Sequence, residues 1–157
     1  MYENLKKLRD IKDRIDFIFE LCEDGLIKAL SDIREKQPAI IMHLVVCNEN
    51  LQKIQDNYDV DILELFSKDD IRGLKAIRNI ASHDYGGLNL AIIEEVIRYK
   101  LPPIREKIAL FLERQDNSLR SKDILGHIEE NLKEEMKQED ESSKETANAY
   151  ANRIRKK

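Results

Sequence analysis

Apolar residues near the start of the chain recur every three or four positions. They run Leu5, Leu8, Ile11, Ile15, Ile18, Phe19, Cys22, with Lys6, Lys7, Asp10, Lys12, Asp13 and Arg14 between them. That period predicts an amphipathic helix. Asp24-Gly25 interrupts the pattern, and Leu26, Ile27, Leu30 and Ile33 resume it before Gln37-Pro38. The first segment therefore reads as one long helix kinked near Gly25. A second helix opens just after Pro38 and carries Ile40, Ile41, Leu44, Val45, Cys47, Leu51 and Ile54. Its first half is apolar nearly all round, the mark of a central helix. Asn48, Glu49 and Asn50 break that surface, and burying a carboxylate such as Glu49 is costly unless a cation or donors meet it. Arg78 is a candidate partner.

Asn57 to Val60 reads as a turn, and Asp61 to Phe66 as a short helix or irregular connection. Ser67 followed by Asp70 resembles an N-cap with an acidic first turn, so the next helix begins at about Ser67. At about 100° per residue, Ile71, Leu74, Ile77, Ile80 and Ala81 form a broad apolar arc, with Arg78 between Leu74 and Ile71. Arg72, Lys75, Asn79 and His83 fall together on the other side of the wheel. Arg78 and His83 point about 140° apart on an ideal helix. They serve one cleft only if the arginine bends or the helix ends near His83, and Gly86-Gly87 favours that ending.

Leu88, Leu90, Ile92, Ile93, Val96 and Ile97 form a further apolar-faced helix, expected to stop at Leu101 before Pro102-Pro103. Ile104, Ile108, Phe111 and Leu112 make the last core helix. The expected organisation is an all-α, up-and-down bundle of four to five helices over residues 1–114. Gln115 to Ser118 reads as a polar linker. Beyond it Leu119, Ile124, Leu125, Ile128, Leu132 and Met136 form a thin apolar stripe, followed by a solvated or disordered tail ending Arg153-Ile154-Arg155-Lys156-Lys157. Residues 115–157 thus read as a charged helical or partly disordered C-terminal extension, and Leu119 to Met136 as a helix able to lie in a partner's groove.

Composition agrees with one helix-rich domain plus a charged remainder: 157 residues, 41% hydrophobic, 37% charged, no Trp and 3 Pro. The formal net charge of -4 means that a polyanion would have to be held by a local basic patch. Cys22 and Cys47 sit in apolar helical patterns, and no apolar run is long enough for a signal peptide or membrane span. These features point to buried thiols and a cytoplasmic protein with no membrane partner.

The candidate chemistry lies in Arg78-Asn79-Ile80-Ala81-Ser82-His83-Asp84-Tyr85. Histidine exchanges a proton near neutral pH, arginine is a fixed cation whose fork matches phosphate oxygens, and tyrosine adds a donor or acceptor. The three suit phosphodiester cleavage without a metal, because in RNA the substrate's 2′-hydroxyl can attack while the protein moves protons and stabilises charge. By spacing alone, His83-Asp84-Tyr85 reads first as a helix cap with local hydrogen bonds. His43 and Cys47, four apart on one helix, lack further ligands for a metal site. The residue three before each histidine is isoleucine, which closes the Glu-x-x-His di-metal bundle, and no Gly-rich phosphate loop is present. No cofactor is implied.

Arg78-x4-His83-x-Tyr85, the Gly86-Gly87 turn and Leu101-Pro102-Pro103 together resemble the HEPN superfamily in its HepT-type branch, over about residues 5 to 114. Glu49 stands where that branch carries a Gly-Glu segment, with Asn48 in place of the usual glycine. The resemblance implies a homodimer whose two motifs face each other in a metal-independent endoribonuclease cleft. It also implies a toxin of a type II toxin–antitoxin pair, whose cognate nucleotidyltransferase antitoxin silences it by attaching AMP to the motif tyrosine. Carried over, Arg78 binds phosphate and stabilises the transition state, and His83 is the general acid/base. Tyr85 assists and is the AMPylation target, with Asn79 and Glu49 supporting. The alternative is a non-catalytic bundle that binds a nucleotide or a partner nucleotidyltransferase.

Overall fold

The computed structural model describes residues 1–83 and 89–156, and at positions 80–83 the backbone only. Among the described residues the chain is all-α and contains no strand. It divides into two units, Met1–Glu113 and Arg114–Lys157.

The first unit begins with α1 (Tyr2–Leu21) and α2 (Leu26–Ser31). They are separate helices rather than one kinked rod. The break comes at Gly25, whose φ of 124° and ψ of 134° suit a residue without a Cβ. Next comes α3 (Lys36–Asp56), with Pro38 in its first turn, where a missing N–H costs little. It packs against α1, α2, α5 (Lys68–His83) and the short α4 (Val60–Leu63). Ile40, Ile41, Leu44, Cys47, Leu51 and Ile54 are all buried, as its apolar first half requires. The central position expected of this helix is the one it occupies.

From α6 (Leu90–Glu95) the backbone passes through a π-helical turn (Val96–Lys100) into α7 (Leu101–Arg155). The expected stop before Pro102-Pro103 is absent. Pro102 and Pro103 cannot donate to the carbonyls four residues back, and their rings crowd those carbonyls. The turn widens instead, and the Leu101 N–H donates to the Val96 carbonyl, five residues back. Burial of Ile97, Leu101 and Ile104 holds the helix on the core through this turn. Farther along, Arg105 Nε donates to Asp16 Oδ1 at 2.7 Å, tying α7 to α1.

A polar tie closes the far side of the bundle. Asn4 is buried, donates to Asp59 at 3.0 Å and accepts from Asn57 at 2.8 Å. It fixes the start of α1 to the turn after α3, so a buried amide keeps its partners.

In the second unit the chain is helical through Gln115–Ser118 and on through Arg155. Residues 115–118, read as a polar linker, are helical, and of the two alternatives for the charged extension the helical, solvent-exposed one describes residues through Arg155. After Pro103 the chain has no proline, and Glu and Lys are its commonest residues, with Arg and Leu also frequent, all of which lose little on entering a helix. Oppositely charged pairs such as Glu129 and Lys133, or Asp140 and Lys144, sit at the favourable four-residue spacing. Ile124, Leu125, Ile128, Leu132 and Met136 are exposed.

Candidate active site

The motif helix α5 is defined from its first residue. Ser67 Oγ accepts from the Asp70 N–H at 3.1 Å, and the Ser67 N–H donates to Asp70 Oδ2 at 2.9 Å. This reciprocal capping box satisfies two backbone donors at a helix start. Leu74 and Ile77 are buried and Ile71 packs at the core's edge, which sets the rotation of the helix. Lys68, Arg72, Lys75, Arg78 and Asn79 are consequently exposed.

Exposure of Arg78 corrects its expected place inside an apolar stripe. Its neighbour on the wheel, Ile71, is itself only half-buried, so that edge of the arc is open to solvent. Glu49 is likewise exposed rather than buried. The desolvation cost that called for a partner therefore does not arise there. The pairing of regions still holds: Arg78 and Glu49 line one open groove between α5 and α3, together with Gln52, Lys53 and Asp56. Glu49, Gln52, Lys53 and Asp56 share a face because they lie at i, i+3, i+4 and i+7 on α3. Gln52 Nε2 donates to Asp56 Oδ1 at 3.1 Å within this face. The sequence reading missed these three residues, although that spacing from Glu49 was there to be followed.

The register of α5 carries position 83 at its last helical residue. The His83 side chain, and Asp84, Tyr85, Gly86 and Gly87 entirely, lie outside the described residues. The structure thus describes Arg78, Asn79 and Glu49 of the motif group, and brings Arg78 and Glu49 together.

The remaining histidines and cysteines have other partners. Arg14 Nη1 lies 3.2 Å from His43 Nδ1, and an arginine can only donate, so Nδ1 accepts and the ring is neutral. Phe17 stacks on the same ring at a centroid distance of 5.6 Å. Burial, then the Arg14 charge, lowers the His43 pKa, against a smaller opposing effect of Asp10. Cys47 is buried with Sγ 3.8 Å from the Ile11 carbonyl, and burial pushes its thiol up to about 12. Among the described residues, no three His, Cys, Asp or Glu side chains are grouped to hold a metal ion. No described helix is long and apolar enough to cross a membrane.

The described residues thus form an all-α bundle whose capped motif helix sets Arg78 on the wall of a polar groove. A family model described as ribonuclease HepT-like matches residues 5–110, more than half of the chain. The chain belongs to that family. No curated protein and no solved structure matches it. The family match takes in Glu49, Arg78, Asn79, His83 and Tyr85, and leaves the whole of the second unit outside.

Proposed function

We propose that this chain is a metal-independent endoribonuclease and the toxin of a type II toxin–antitoxin pair. One observation carries the reading: the ribonuclease HepT-like match spans the complete Arg78-x4-His83-x-Tyr85 motif. The exposed Arg78 on the groove wall supports it.

The chemistry follows from the side chains. The Arg78 guanidinium binds the scissile phosphate and neutralises charge that grows as the 2′-hydroxyl attacks. The imidazole of His83 moves protons, taking one from the nucleophile or giving one to the leaving 5′-oxygen. Tyr85 assists. A single chain contains one motif, and two chains paired as a homodimer supply the acid and the base together. A cognate nucleotidyltransferase antitoxin attaches AMP to Tyr85, filling the cleft with a bulky anion that competes with the RNA phosphate.

Controlled expression in a bacterial host tests this reading. Growth should arrest with the unaltered chain and continue with His83→Ala at equal protein level. Arrest by both proteins would remove His83 from the mechanism.

A further inference from the structure

The chain has a net charge of -4, yet its motif helix presents a run of cations. Lys68, Arg72 and Lys75 are exposed, and the register of α5 places them with Asn79 on one face, within about 60° of arc. From Lys68 to Asn79 this face extends about 16 Å along the helix. Asp69 lies 3.6 Å from Arg72, but both are more than three-quarters exposed, so the pair is weak and easily exchanged. Asp70 is turned to the Ser67 cap. From the other side the Lys100 stem crosses Gly73, and its Nζ approaches the Asp69 carbonyl at 3.4 Å, adding a cation beside the row.

On the opposite flank of the row lies the groove of Glu49, Gln52, Lys53, Asp56 and Arg78. It offers carboxylate acceptors for base amino groups and a lysine for base carbonyls, a mixture unsuited to a bare phosphate track but suited to a base edge. In a duplex those edges are paired and the phosphates run on two strands. A single row of cations beside one polar groove matches one strand with its bases turned aside.

We propose that Lys68, Arg72 and Lys75 form a phosphate rail that holds single-stranded RNA along α5, leading to Arg78, with an unpaired base in the groove against α3. The proposal rests on the ribonuclease reading for its substrate but concerns binding beyond the scissile bond. The rail residues are positioning residues: they contact backbone phosphates away from the reacting atoms.

The test is binding of the full chain to an unstructured, fully 2′-O-methylated RNA oligonucleotide, which cannot be cut through its 2′-oxygen, across a salt series. The comparison is Lys68→Gln/Arg72→Gln/Lys75→Gln, with Lys68→Arg/Arg72→Lys/Lys75→Arg as the charge-preserving control and circular dichroism as the check on folding. Each phosphate contact to a single strand contributes about 0.7 to the slope of log affinity against log salt. The neutral variant should therefore lose about 2 from the slope and bind roughly tenfold or more weakly at physiological salt, while the control keeps the slope. An unchanged slope and affinity would overturn the rail and leave these cations to an acidic protein partner. Equal competition by duplex RNA would overturn the single-strand assignment.

Cleavage is scored separately. A wild-type chain that binds through the rail but cuts no unmodified RNA would sink the nuclease reading and keep the rail. A neutral variant that cuts long RNA with unchanged KM and binds as wild type would do the reverse.

Discussion

Ser67 and Asp70 hold each other across the first turn of the motif helix, each backbone N–H bonded to the other's side chain at 3.1 Å or less. Through this pair the first turn of α5 is fixed from Ser67 onward, some ten residues before Arg78. Ser67→Ala should cost about 1 kcal/mol, the usual worth of an N-cap. Thermal denaturation should show a drop of a few degrees. RNA cleavage per folded molecule should stay near that of the wild type, because Leu74 and Ile77 still set the rotation of the helix.

His43 gives the fold a pH dependence. Its folded pKa is lowered by burial and by Arg14, below the ordinary value of 6.5. The unfolded chain therefore binds the proton more readily. Stability from the neutral ring is fully present above about 6.5 and is lost as pH falls through the lower folded pKa. Denaturant melts at a series of pH values should show stability declining below that point, and His43→Gln should flatten part of the decline. An unchanged pH profile in the variant would show that burial and Arg14 together give His43 no part in the decline.

Thiol chemistry should separate the two cysteines. Both are free, Cys47 buried and Cys22 partly so. Burial raises both thiols, more for Cys47, which reaches about 12. In the native protein at neutral pH, mass spectrometry after alkylation should find Cys22 modified slowly and Cys47 untouched, with both modified in denaturant. Rapid labelling of Cys47 in the native chain would mean that α3 opens away from α1.

Much of the fold was legible because its signals are local. The period of Ile40, Ile41, Leu44, Leu51 and Ile54 marked the central helix, and Ser67 with Asp70 marked the start of α5. Other readings needed correction for identifiable reasons. Pro102-Pro103 normally argues for a helix end, but a π turn accommodates the missing donors while Ile97, Leu101 and Ile104 stay on the core, an outcome that depends on packing absent from the local sequence. The residues after Arg114 were read as a polar linker, a charged amphipathic helix and a solvated or disordered tail, and residues of high helix propensity carry α7 through them to Arg155. At the site, Arg78 and Glu49 were legible as neighbours. Their exposure was not, because a helical wheel shows which way a side chain points but not where the adjacent helix leaves an open edge. Gln52, Lys53 and Asp56 share the helical face of Glu49 by their spacing, and the packing of α3 beside α5 shows that this face lines the groove.

The central claim is that Arg78 and His83 cleave RNA without a metal. Its most direct test is incubation of purified full-length chain with unmodified RNA in excess chelator, beside Arg78→Ala and His83→Ala, with product ends and the intact protein mass determined. The unmodified wild-type chain should cleave the RNA and leave 2′,3′-cyclic phosphate ends, with cleavage reduced by about two orders of magnitude or more in each variant, the usual worth of an acid/base group or a charge-stabilising donor. Cleavage that the chelator abolishes, or none from wild-type chain whose mass shows no attached AMP, would contradict it.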